Sequence, residues 1–190
     1  MRAQSRDTWG RIAKIAHWLT AIFVLCAMAN ILYGMNMDRS QPRDYWVPMY
    51  RASIFRHEAF GMFTLATIGL RLVWRLFVQR PPYPSTMRQW EMTASSVVHG
   101  SLYLLAIVIC ILGWLQVSSN GAEVNIFGWT PLPRLVDKDP QLHAVIAEWH
   151  EWTSWCFIAL VALHIGAALK HHFVDGDRIL LNMLPSQTRS

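Results

Sequence analysis

The stretch EWHEWTSWCFIALVALHIGAALKHHF, Glu148–Phe173, decides the fold. Its centre, Trp152–Leu169, runs 18 residues without Asp, Glu, Lys or Arg, about the length of a helix that crosses a bilayer. His150 stands at its start and His164, 14 residues later, in its second half. At about 3.6 residues per turn both rings leave one helix face within roughly 40°, about 21 Å apart along the axis. An ionisable side chain facing the inside of a membrane bundle is costly without a partner and marks function by default. Two imidazoles on one face, one near each membrane surface, point to two cofactors stacked across the bilayer. The rest of the chain then has to supply the opposite ligands.

The composition agrees. Of the 190 residues 53% are hydrophobic and 15% charged, where soluble domains carry about 25% charged residues. The apolar residues gather in long blocks, as in membrane proteins. The first block, Ile15–Met35, is long and lacks a small-residue cleavage site, so it reads as a retained span and not as a secretory signal. Cys26, Cys110 and Cys156 all sit in apolar blocks, without CxxC or CxxCH, and read as small buried hydrophobes. That argues against zinc, iron–sulfur and covalently attached c-type haem. The formal charge of +5 is distributed as membrane topology requires, and no nucleic-acid partner is expected.

The expectation is one integral-membrane domain, all-α, a transmembrane four-helix bundle with spans at about 15–36, 57–78, 95–118 and 149–170. Asn36–Arg56 reads as a loop, with Asp38, Pro42, Asp44 and Pro48 as breakers, and Ser118–Ala147 as a second loop containing FGWTPLP. Four spans place both termini on one side. That side carries 11 of the Lys and Arg residues, including Arg2, Arg6, Arg11 and Lys14, and the other side 6. The positive-inside bias puts both termini in the cytoplasm.

Topology gives each histidine a depth. His17 enters the first span from the cytoplasmic side and His57 the second from the outer side. His17 thus shares a depth with His164, and His57 with His150. Two neutral imidazoles facing each other suit a low-spin haem inside a helix bundle. Gly61, one turn after His57, leaves room for a flat macrocycle against the helix. His99, His143, His171 and His172 read as interfacial or loop residues. His99, at a depth like that of His17, is also open as a substitute ligand or a quinone partner. Arg71 and Arg75, one turn apart at the cytoplasmic boundary, admit two compatible readings. One is anchoring at the interface; the other is pairing with haem propionates or a quinone head group. The ten tryptophans cluster near span ends as an aromatic belt.

Together HW at residues 17–18, HEAFG at 57–61, RLVWRL at 71–76, WHEW at 149–152, LHIGAALKHHF at 163–173 and DGDRILLNML at 175–184 resemble the bacterial cytochrome b561 family. The likeness extends over nearly the whole chain. It implies a four-helix inner-membrane protein with two non-covalent b-type haems, ligated by His17, His57, His150 and His164. The family includes a superoxide oxidase that reduces ubiquinone. The implied activity is electron transfer across the membrane from a periplasmic one-electron donor, superoxide first, to ubiquinone. The partners are then membrane lipid and quinone. The alternative is a membrane anchor that relays electrons from a periplasmic redox partner, and the long Ser118–Ala147 loop motivates it. A metal-ion permease is disfavoured, because no intramembrane carboxylate accompanies the histidines.

Overall fold

The computed structural model describes residues 9–78, 81–84 and 87–184. Arg2, Arg6, Arg80 and Arg189, which weigh in the basic count above, lie outside them. Four long helices make the frame: α1 (Arg11–Met35), α2 (Arg43–Phe77), α3 (Gln89–Ser119) and α4 (Pro140–Phe173). A two-stranded antiparallel hairpin, β1 (Asn125–Ile126) and β2 (Thr130–Pro131), interrupts the α3–α4 connection, and a short α5 (Ile179–Met183) closes the described chain. All four long helices have the length and apolarity to cross a membrane. α1 packs chiefly on α2 and α3 on α4, with α2 against α3 joining the two pairs.

One of the expected loops is largely helical and the other partly so. α2 takes up Arg43–Arg56 and α4 takes up Pro140–Ala147. The reason is capping. Pro42 and Pro140 preset the backbone for a helix start instead of ending one. The Pro42 carbonyl accepts from the N–H of Tyr45 at 3.0 Å and of Trp46 at 3.3 Å. Asp139 Oδ1 accepts from the N–H of Gln141 at 2.9 Å and of Leu142 at 3.0 Å, a side-chain N-cap. Asp44 in the first turn of α2 favours the positive helix end. Pro48 rides inside α2, at the loss of one backbone hydrogen bond. In consequence α2 projects about 21 Å and α4 about 15 Å beyond His57 and His150.

Burial is inverted relative to a soluble protein. Large apolar side chains face outward, Leu76 at 81% and Phe77 at 79% exposure among them. Most of the best-buried positions are small or hydroxylic, Ala59, Ser53, Ser118, Ser119, Thr20, Thr64 and Ala106, with Val124, Ile68 and Lys14 beside them. Helices in lipid associate through such small residues, which let backbones approach. At the α1–α2 contact, a Cβ on Gly34 would collide with Ser53 Oγ. The hydroxyls are satisfied within their own helices, Thr20 to the Ala16 carbonyl at 2.7 Å and Thr64 to Phe60 at 2.9 Å. Ile68, Ala106 and Phe157 form the apolar centre where α2, α3 and α4 meet, with Val24 of α1 against it.

The hairpin turn has positive φ at both central residues, Phe127 at 49° and Gly128 at 79°, as in a type I′ turn. Glycine tolerates this; for phenylalanine it costs about 1–2 kcal/mol. The Phe127 ring offsets that by lying against Phe60, Phe63 and Phe55, with centroids at 5.4, 5.9 and 6.2 Å. Each such ring pair contributes about 0.5–1.5 kcal/mol.

At the opposite end the chain closes on itself. Lys170 bridges Glu91 of α3 at 2.9 Å and Asp175 at 2.7 Å. Asp177 pairs with His171 at 2.7 Å and caps the Ile179 N–H at 2.9 Å. The last carbonyls of α5 then meet α1: Trp18 Nε1 donates to Met183 at 2.8 Å and the buried Lys14 Nζ to Leu184 at 3.2 Å.

Candidate functional site

The helix frame brings the four histidines singled out by depth into two facing pairs. His57 of α2 and His150 of α4 have ring centroids 6.1 Å apart with planes at 89°. His17 of α1 and His164 of α4 have centroids 6.2 Å apart with planes at 66°. An imidazole nitrogen binds a metal at about 2 Å and the ring centre lies about 1 Å further back, so two rings on opposite sides of one ion have centroids roughly 6 Å apart. Both pairs meet that spacing.

The groups around the rings differ. His57 Nδ1 lies 2.9 Å from the Ala27 carbonyl of α1. A carbonyl only accepts, so Nδ1 carries the proton and Nε2 is left with a free lone pair. His150 Nδ1 is buried and makes no hydrogen bond of good geometry among the described residues; the nearby Ile109 carbonyl is its backbone neighbour. Gly113 of α3 makes room for this ring, since a Cβ there would stand 3.2 Å from His150 Cε1. A Cβ on Gly61 would meet nothing within 4 Å, and its carbonyl accepts from Cys110 Sγ at 3.3 Å. The open space beside His57 fits a bound flat group.

The inner pair is more crowded. His99 of α3 lies against His164 with centroids 5.1 Å apart and planes at 83°, about 1 Å short of the spacing for a shared metal. Its Nδ1 is held by the Ser95 carbonyl at 2.6 Å. Arg71 Nη2 donates to His17 Nδ1 at 3.3 Å. Arg71 and Arg75 both stand over the Tyr103 ring, at 5.3 and 5.6 Å. Trp18 packs edge-on against His17 at 5.5 Å. The other histidines are elsewhere: His143 Nδ1 donates to the Gln116 carbonyl at 2.9 Å and ties α4 to α3, and His171 sits between Asp175 and Asp177. The interfacial reading of His99 does not anticipate its contact with His164, and sequence reasoning missed Gly113 and Tyr103. Tyr103 lies four residues after His99, a spacing that marks one helix face and was available as a signal.

Paired, half-buried histidines in a bundle of membrane-spanning helices are what a membrane cytochrome of the b type requires. The chain belongs to the prokaryotic cytochrome b561 family, whose pattern matches residues 8–186. It is 31% identical over 180 residues to cytochrome b561 homolog 2 of Escherichia coli (strain K12), covering 94% of this chain and 92% of that one. It is 28% identical over 171 residues to cytochrome b561 homolog 1 of the same organism, covering 89% and 92%. It is 26% identical over 173 residues to a probable superoxide oxidase, CybB, of Yersinia pestis, covering 90% and 92%. Membership makes this a b-type haem protein of a bacterial membrane that transfers electrons across it.

Proposed function

We propose that the chain passes electrons between a one-electron donor on the outer side and the ubiquinone pool. His57 and His150 would hold one b-type haem, and His17 and His164 a second. The observation that carries this reading is the pair of matched centroid distances, 6.1 and 6.2 Å, at two depths of one bundle. When bound, the haems supply the one-electron couple.

The protein's own residues set up the rest. The Ala27 carbonyl fixes the His57 tautomer and leaves Nε2 free as a ligand atom. A guanidinium only donates, so the present Arg71 contact requires an unprotonated His17 Nδ1. Ligation through Nε2 places the ring proton on Nδ1 and releases Arg71 for an anionic or carbonyl partner. A haem propionate and a quinone head group both offer one, and Arg75 stands a turn away over the same Tyr103 ring. His99, short of the spacing for a ligand, keeps a proton-bearing ring beside this site.

Both termini are placed in the cytoplasm by the basic bias. Superoxide is the first candidate donor, because one relative bears that activity in its name. The exposed Arg39, Arg43, Arg51 and Arg56 lie near the outer pair's end of the molecule and would attract an anion. Each superoxide gives up one electron and leaves as dioxygen; two electrons and two protons convert one ubiquinone to ubiquinol. The projecting ends of α2 and α4 favour a second reading, a platform for a periplasmic redox partner. Stopped-flow mixing of the oxidised protein with superoxide at low and high salt tests the choice. Fast, salt-weakened haem reduction supports superoxide; slow reduction at every salt concentration sinks it and leaves the relay reading.

A further inference from the structure

The α3–α4 hairpin belongs by its chemistry to the lipid, not to water. From Val124 to Pro133 it holds no Asp, Glu, Lys or Arg, while Glu123 and Arg134 bracket it. Its tip, Ile126–Phe127–Gly128–Trp129, is wholly apolar. Water-exposed turns of this size ordinarily carry polar residues.

Two rulers give the depth of the tip. The Phe127 ring lies against Phe60 at 5.4 Å, Phe63 at 5.9 Å and Phe55 at 6.2 Å, residues three and six past His57 and two before it, which sets the ring about 3 Å further into α2 than His57. Phe63 in turn stacks on Phe23 of α1 at 5.3 Å. Phe23 is twelve residues before the end of α1 at Met35, about 18 Å in from that end. α1 is somewhat longer than the hydrocarbon core is thick, so Phe63, beside its midpoint, is inside that core, and the Phe127 ring that touches Phe63 lies in the core's outer part.

Non-helical backbone inside a membrane needs its polar groups satisfied, and three N–H groups of this hairpin are. Asn125 Oδ1 accepts the Gly128 N–H at 2.7 Å. The Ile126 carbonyl accepts the Trp129 N–H at 2.9 Å, and the Val124 carbonyl the Leu132 N–H at 2.8 Å. Pro131 and Pro133 have no N–H to satisfy. Phe127 turns inward onto α2, while Trp129 points away from the protein at 81% exposure.

We propose that Ile126–Trp129 is a re-entrant wedge immersed in the membrane leaflet nearer the His57–His150 pair, with Trp129 in direct contact with lipid. The neighbouring charged residues Glu123, Arg134, Asp137, Lys138 and Asp139 stay at the water surface and limit its depth.

The test uses the haem-loaded full chain with Cys26, Cys110 and Cys156 replaced by alanine, one copy per lipid nanodisc. An environment-sensitive fluorophore is placed through Trp129→Cys, and in a second protein through Leu135→Cys on the charged flank. Nitroxide-bearing phospholipids and aqueous iodide serve as quenchers, and haem content shows that each variant is folded. The expected result is a blue-shifted label at position 129, quenched by the lipid nitroxide and several-fold less by iodide than the label at 135. Iodide quenching equal at the two positions overturns the proposal. So does protection of position 129 from both quenchers, which would mean that protein covers it. Neither result depends on which molecule donates electrons.

Discussion

Replacing His99 and His17 by alanine, in separate variants, tests which ring faces His164 across the inner cofactor. The magnitude comes from geometry. Two metal–nitrogen bonds of about 2 Å and two ring half-widths of about 1 Å set the centroids roughly 6 Å apart. His17 meets this at 6.2 Å, while His99 at 5.1 Å would force the metal bonds to shrink by about half an ångström each. His99 also keeps its Nδ1 on the Ser95 carbonyl of its own helix, so its ring is already committed in orientation. His99→Ala should therefore retain two haems per chain with an unchanged low-spin spectrum. His17→Ala and His164→Ala should each retain one. The assay is haem per protein from the pyridine haemochrome, read beside the reduced-minus-oxidised spectrum in the α-band region. Loss of a haem from His99→Ala, with both kept in His17→Ala, would refute the spacing argument and move the inner ligand to α3.

Gly113→Val should crowd His150, since even a Cβ at this position stands 3.2 Å from the ring; the expected loss of the outer haem is measured by the same haem count, with the inner one spared. Arg71→Leu and Arg75→Leu should slow reoxidation of the reduced protein by ubiquinone while leaving haem content intact; unchanged kinetics in both would reduce the arginines to anchors. A reporter fused after Ser190 should report a cytoplasmic location, and periplasmic phosphatase activity from it would reverse the naming of the two sides. Gly34→Leu should separate α1 from α2 at Ser53 and destabilise the detergent-solubilised protein by about 1–3 kcal/mol, read as a lower Tm.

Much of this was legible before any coordinates, because lipid imposes simple rules. A run like Trp152–Leu169 has one stable reading, and buried histidines fourteen residues apart share a face whatever surrounds them. Lateral arrangement was not legible. Depth places His99 level with His17, but only the packing of α3 against α4 shows that its ring touches His164. Pro42 and Pro140 were hard to read because proline both ends and begins helices; in the structure each begins one. Gly113 matters only through the ring it faces on another helix. The wedge at Phe127 was hidden because phenylalanine at positive φ runs against its own preference and is held there by three rings distant in sequence.

The grip of Lys14 and Trp18 on the carbonyls of Leu184 and Met183 joins residues 170 and 165 positions apart. At about 5–20 residues per second, the ribosome delivers the second half of that contact roughly 10–30 s after the first. Through that interval the first turns of α1, with His17 beside Trp18, have no clasp over them. His164, the other member of the inner pair, is made only 20 residues before Leu184, so the pair stands complete and unclasped for about 1–4 s of synthesis. A chain stalled or truncated before α5 would keep all its ligands and lose the clasp.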